Sequence, residues 1–204
     1  MMSHPHILHP NNLSQFELFF VNMTDDLLRR ALSFWSVPSL ISLGASSVML
    51  RGVYKRYCAD VWNINRRLRT WFPNPALFRK KLRDTGAIIS GSQALQYFDR
   101  EQYEGSDLDI YVSRSGAILL GHWLEGIGYK YHGKDPSYDF LQHLITDTTP
   151  THGRSPFHSA IMRVHNFHRF LICRRGVARL LRVQLIVLEG NPVVHIMFDF
   201  HSSK

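Results

Sequence analysis

Asp107 and Asp109 stand one residue apart in an otherwise apolar run that continues through Leu108, Ile110, Tyr111 and Val112. Residues i and i+2 of a strand project from one face, so both carboxylates would aim at one point. Two hard oxygen ligands at that spacing suit Mg²⁺, which leaves part of its shell for the phosphates of a substrate. Upstream, the apolar pair Ile88-Ile89 runs into Ser90-Gly91-Ser92, and a helical pattern follows. A turn at a helix start offers unpaired backbone N–H groups to the same phosphates. Gly91 permits close backbone approach, and the Ser92 hydroxyl can add a hydrogen bond.

The surrounding pattern is that of an α/β (α+β) chain. Asn74-Pro75 starts a helix over 76–84, with Leu77, Phe78 and Leu82 inward, and Thr85-Gly86 closes it. A strand over 87–90 leads to the Gly-Ser turn and a helix over 91–98. Strand 107–113 and a helix over 115–125 follow, then a short strand over 129–132. A helical turn is expected at 138–144, and strands at 159–165, 169–174 and 180–188. Asn191-Pro192 caps a last helix, 193–200.

The N-terminal third reads differently. Thr24 caps a helix with Leu27, Leu28, Ala31, Leu32 and Trp35 on its apolar side. A second short helix follows Pro38 and ends at Gly44. Ser46 or Ser47 caps a third, through Val48, Leu50, Val53, Tyr54 and Tyr57. The expected organisation is a disordered leader over 1–12, a helical region over 13–72 and an α/β domain over 73–204.

Charge narrows the partners. With 24 Lys and Arg against 16 Asp and Glu, the net charge is +8, which favours nucleotides, nucleic acid or acidic surfaces. Basic residues also cluster at Arg174, Arg175, Arg179 and Arg182, while Arg66, Arg67 and Arg69, then Arg79, Lys80, Lys81 and Arg83, precede the Gly-Ser turn. They either face it or form a solvated helix face. Cys58 and Cys173 make no disulfide or metal framework. His165 and His168 would point to opposite faces of a strand, against a shared metal. No apolar run reaches the length of a membrane span, and the first residues lack the order of a signal peptide. The expectation is an intracellular chain, cytoplasmic or nuclear, with no membrane partner.

Gly91-Ser92 and Asp107-Leu108-Asp109-Ile110, each after an apolar strand residue, resemble the paired signature of the nucleotidyltransferase superfamily, the DNA polymerase beta-like fold. Ser106-Asp107-Leu108-Asp109 is a common form of it. The resemblance covers roughly 75–190. It implies a mixed sheet flanked by helices, and transfer of a nucleoside monophosphate from a nucleoside triphosphate to an acceptor such as RNA. Gly91, Ser92 and Ser106 would then bind the nucleotide, while Asp107 and Asp109 would be catalytic ligands of Mg²⁺.

The family's third carboxylate belongs on a later strand reading apolar-Asp-apolar. Here Arg182-Val183-Gln184-Leu185-Ile186 puts Gln184 in that place. An amide can ligate through oxygen but cannot take a proton at neutral pH. Asp139, Asp147, Glu189 and Asp199 are the other acids that could substitute. A non-catalytic nucleotide- or RNA-binding protein is therefore the alternative function. The family also often carries a further C-terminal helical region, so the expectation is either a minimal domain or a C-terminally shortened one.

Leu27-Leu28, Val37-Pro38-Ser39-Leu40 and Ser46 through Leu50-Arg51 to Tyr54 resemble a degenerate F-box, although Met23-Thr24 replaces its Leu-Pro opening. This resemblance implies an adaptor in which residues 20–60 dock a ubiquitin-ligase scaffold. The alternative is a helical cap. Residues 85–96, 183–187 and 200–202 look like a set of fungal proteins that join two such regions.

Overall fold

Hydroxyl side chains set the helix starts of the N-terminal region. Ser14, Thr24, Ser36 and Ser47 each accept a hydrogen bond from the backbone N–H three residues on. They open α1 (Gln15–Val21), α2 (Asp25–Ser33), α3 (Val37–Ser46) and α4 (Val48–Val61). Their common core is Phe20, Leu28, Leu32, Leu40, Leu43, Leu50, Val53 and Tyr57. Two expectations change here. Leu27 is exposed, because the buried stripe of α2 is the i, i+4 pair Leu28 and Leu32. Gly44 does not end α3. It is buried against Tyr54, whose ring would lie 2.8 Å from a Cβ placed there, so this glycine lets the helix run close to α4.

The structure is a computed structural model that describes residues 13–101, 103–133, 137–146, 161–172 and 178–199. The leader over 1–12, Asp147, Cys173 and residues 200–204 lie outside that set. Contacts divide the chain after Asn63. Leu68, Trp71 and Phe72, which fall within the helical region expected over 13–72, lie in the core of the second unit.

That unit starts with α5 (Ile64–Leu68) and α6 (Pro75–Thr85). The Asn74 side chain caps α6, and Gly86 ends it at φ 63°, a left-handed backbone that glycine adopts without steric cost. Then come β1 (Ile88–Ser90), α7 (Gly91–Asp99), β2 (Leu108–Ser113), α8 (Arg114–Gly126) and β3 (Lys130–His132). The chain continues through α9 (Phe140–Thr146), β4 (Ile161–Ile172), β5 (Ala178–Leu188) and α10 (Pro192–Val194), which passes into a π-helical turn, His195–Asp199.

Among the described residues, five strands form an open mixed sheet in the order β1-β2-β5-β4-β3. Only β2 and β5 run parallel; the other neighbours are antiparallel. Two strands were expected where β4 runs unbroken. Its period-2 alternation continues through the polar stretch, with buried His165 and Phe167 on one face and Asn166 and His168 on the other. The last expected helix also breaks early, at Val194.

One sheet face is apolar. Leu108, Ile110 and Val112 of β2, with Leu181, Val183, Leu185 and Val187 of β5, pack against Phe78, Leu120, Leu124 and Phe140 from the helices. Phe78 is fully buried, stacked 3.8 Å from Phe72 and 5.7 Å from Trp123 between ring centroids. Phe78→Ala is expected to cost roughly 3–5 kcal/mol. Urea denaturation should show a lower midpoint with an unchanged slope.

Candidate functional site

Register places polar residues on the opposite sheet face. Ser90 pairs with Asp109, Asp109 with Gln184, Gln184 with Asn166, and Asn166 with His132. Paired residues share a face, so these five make one row across all five strands. On one side of it lies an apolar row, Ile88, Tyr111, Ile186 and Val164. Tyr111 and Ile186 are buried there with Leu188, and Ile196 packs against them. On the other side stand Arg182, His168 and Lys130, with Asp107 just before β2.

The two aspartates sit in different surroundings. The Asp107 Oδ1 meets Arg182 Nε at 2.7 Å, and Gln184 Nε2 donates to its Oδ2 at 3.2 Å. Asp109 lies deeper: burial first, and the charge of Asp107 second, push its carboxyl up to about 6. Gly91 lies directly against it. A Cβ on Gly91 would fall 2.0 Å from Asp109 Oδ2, and Gly91 has φ 67°. Both the space and the backbone angle require glycine.

α7 begins at Gly91 in an unusual way. The helices α1, α2, α3, α4, α6 and α8 start with a side-chain cap, whereas the Ser90 side chain makes none. The Ser90 side chain therefore does not occupy the first-turn N–H groups of α7, which include that of half-buried Ser92.

Ser106 is engaged otherwise. Its hydroxyl accepts from Gln96 Nε2 at 3.0 Å and donates to the Tyr103 carbonyl at 3.1 Å. Gln96 is buried, takes the Tyr103 N–H at 2.9 Å, and is held by Arg67 through its carbonyl and side-chain oxygens. Ser106 thus serves the strap that shapes the loop into Asp107. Of the expected site residues, Gly91 lies against Asp109, Asp107 is close enough for its charge to act on Asp109, and Ser92 follows Gly91 in the first turn of α7.

Sequence reasoning placed Arg67 and Arg182 only among clustered basic residues, without these partners, and overlooked Gln96. Arg182 had a legible signal, since it lies two residues before Gln184 and shares its face. The contact between Arg67 and Gln96 had none, because it depends on tertiary packing. His165 and His168 face opposite sides as expected: His165 hydrogen-bonds Tyr131 at 3.2 Å in the core, while His168 stacks on His132 at 5.0 Å. Tyr111 is buried and stacked on His195, while Phe98 and Tyr103 are exposed.

Among the described residues, no group of three Asp, Glu, His or Cys side chains converges. The Asp139 carboxylate accepts from the Gln142 N–H at the start of α9. The Asp199 side chain is outside the described set. The donors present fit one hard divalent cation, with two carboxylates on one face and the remaining shell left to water or phosphate. They do not supply the acid for a second.

Comparison of the chain with protein-family models, curated proteins and solved structures returns no match.

Two outcomes follow from this geometry. A folded-state carboxyl raised above its unfolded value binds more protons folded than unfolded, so Asp109 lowers stability as pH rises from about 3.8 to about 6. Buried His165, held down to about 4, acts in the opposite sense between about 4 and 6.5. The difference between wild type and Asp109→Asn isolates the carboxyl. Denaturation at several pH values should show the variant gaining on wild type across that window and keeping the gain above it. Gly91→Ala is expected to cost roughly 2–4 kcal/mol, from left-handed backbone and overpacking together, on the same assay.

Proposed function

We propose that the second unit is a nucleotidyltransferase-like domain of the DNA polymerase beta type, which binds a Mg²⁺-complexed nucleoside triphosphate on its open sheet face. The reaction is attack of an acceptor hydroxyl on the α-phosphorus, which breaks the α–β phosphoanhydride bond, releases pyrophosphate and gives the hydroxyl proton to water. The observation that carries this reading is the juxtaposition of Asp107 and Asp109 with the uncapped start of α7 at Gly91, on neighbouring strands of a mixed sheet.

In this reading Asp107 and Asp109 hold the cation, and Gly91 and Ser92 present N–H groups to the phosphates. The ion, when bound, neutralises phosphate charge and aligns the attack. Asp109 must be ionised to ligate it, so proton loss accompanies binding below about pH 6. The Arg67–Gln96–Ser106 strap holds the loop that delivers Asp107.

A second reading is nucleotide or RNA binding without turnover. It is favoured by Gln184, which stands directly opposite Asp109 and donates to Asp107. Its amide cannot take the proton of an acceptor hydroxyl.

The test is thermal stabilisation by Mg²⁺ with each nucleoside triphosphate, followed by transfer of label to RNA and protein acceptors. Ligand at about 100 times its Kd should stabilise wild type by ~2.7 kcal/mol. Asp107→Ala with Asp109→Ala should lose that stabilisation. Transfer that rises in Gln184→Asp supports the enzyme, and binding without transfer in both supports the second reading. If no triphosphate stabilises wild type and the double variant behaves alike, both readings fall.

A further inference from the structure

Asp107 is already occupied. Arg182 Nε lies 2.7 Å from Oδ1, and Gln184 Nε2 donates to Oδ2 at 3.2 Å. The other arm of Arg182, Nη2, donates to the Gly105 carbonyl at 2.9 Å. The guanidinium thus neutralises one carboxylate and pins the loop just before it. A divalent cation needs the same oxygen. A guanidinium and a dication on one carboxylate are like charges a few ångströms apart and repel, though the exposure of the Arg182 side chain screens the repulsion.

Resting on the nucleotide reading above, we propose that Arg182 is the site's resident counter-ion: it holds Asp107 until a divalent cation takes the carboxylate, then turns to the polyphosphate that the cation brings. Three observations make the exchange physically open. The Arg182 side chain is 46% exposed, so its head is not locked in the core. It projects from β5 onto the open face, beside His168 and in the row next to Asp109 and Gln184. Gly105 is exposed, so its released carbonyl can take water. A freed guanidinium presents a planar fork of donors that matches phosphate oxygens. Arg182 is in this account a binding residue for the anion and a competitor for the cation.

The opposite signs make it testable without turnover. Titrate Mg²⁺ alone, then inorganic triphosphate with Mg²⁺, into wild type, Arg182→Gln and Arg182→Lys by calorimetry. Arg182→Gln should bind Mg²⁺ about two- to fivefold more tightly, the scale of a half-exposed ion pair. It should bind triphosphate roughly tenfold or more weakly, the loss of a charge-assisted contact. Arg182→Lys should stay nearer wild type on both.

A measurement on wild type needs no variant to fold. Phenylglyoxal labelling read by mass spectrometry should increase at Arg182 on adding Mg²⁺ and decrease again on adding triphosphate. If wild type binds Mg²⁺ while Arg182→Gln binds it no better and the labelling is unchanged, the exchange is overturned and the nucleotide reading stands. If only the variant binds Mg²⁺, the competition holds and the metal-dependent reading of wild type fails. If neither binds, both fall.

Discussion

The parallel pairing of β2 with β5 is the contact on which the rest of this unit depends. It sits at the centre of the sheet, flanked by β1 on one side and β4 on the other. A parallel neighbour cannot be reached by a tight turn, so the chain must leave the sheet after Ser113 and return. α8, β3, α9 and β4 are all built within that excursion. The same pairing sets Leu108 against Val183, Asp109 against Gln184 and Ile110 against Leu185. Side chains alternate with period 2, so the register that buries the valines and leucines also stacks the polar residues. A slip of one residue would put Asp109 into the helix-packed core.

Within this frame, the site is a balance of charge against burial. Two carboxylates on one strand face repel, and the deeper one pays the desolvation cost as well. The fold answers locally. Arg182 neutralises the outer carboxylate, and Gln184 donates to its second oxygen. The inner one, Asp109, rests against a glycine that has no side chain to displace it. The loop into Asp107 is fixed by the Arg67–Gln96–Ser106 network and not by secondary structure. Arg67 is partly buried, and that burial lowers its pKa, yet its donors reach the Gln96 and Glu101 carbonyls.

Features encoded within a few residues were readable from the chain. Asn74-Pro75 and Gly86 bound α6 because capping and left-handed termination are local events. The aspartate pair and its apolar neighbours marked β2 because alternation is visible in the letters. Features that depend on a distant partner were not. Gly44 looked like a helix stop until Tyr54 supplied the reason for a glycine inside a helix. Residues 166–168 looked like a gap between two strands, and only the packing of Phe167 against Tyr131 and Phe140 makes that stretch part of one strand's apolar face. Ser106 resembled a nucleotide ligand by position, and its partners proved to be Gln96 and Tyr103. The F-box-like and nucleotidyltransferase-like resemblances rest on short motifs, so they fix few of these long-range contacts.

Gln184 and Arg182 are best understood together. A third carboxylate opposite Asp109 would put three acids on two neighbouring strands, and without metal the buried one would be driven still further toward protonation. An amide there removes that repulsion and adds a donor to Asp107. Arg182 then compensates the outer carboxylate. Both residues offset the charge of the acidic pair, and under the proposed function they would weaken its pull on a dication, since the attraction available to an incoming ion scales with the uncompensated charge it meets. Such a site would bind a lone cation loosely, and would hold it better once a polyphosphate arrived to draw the guanidinium away. Cation and nucleotide would therefore bind with positive coupling, each making room for the other through the same arginine.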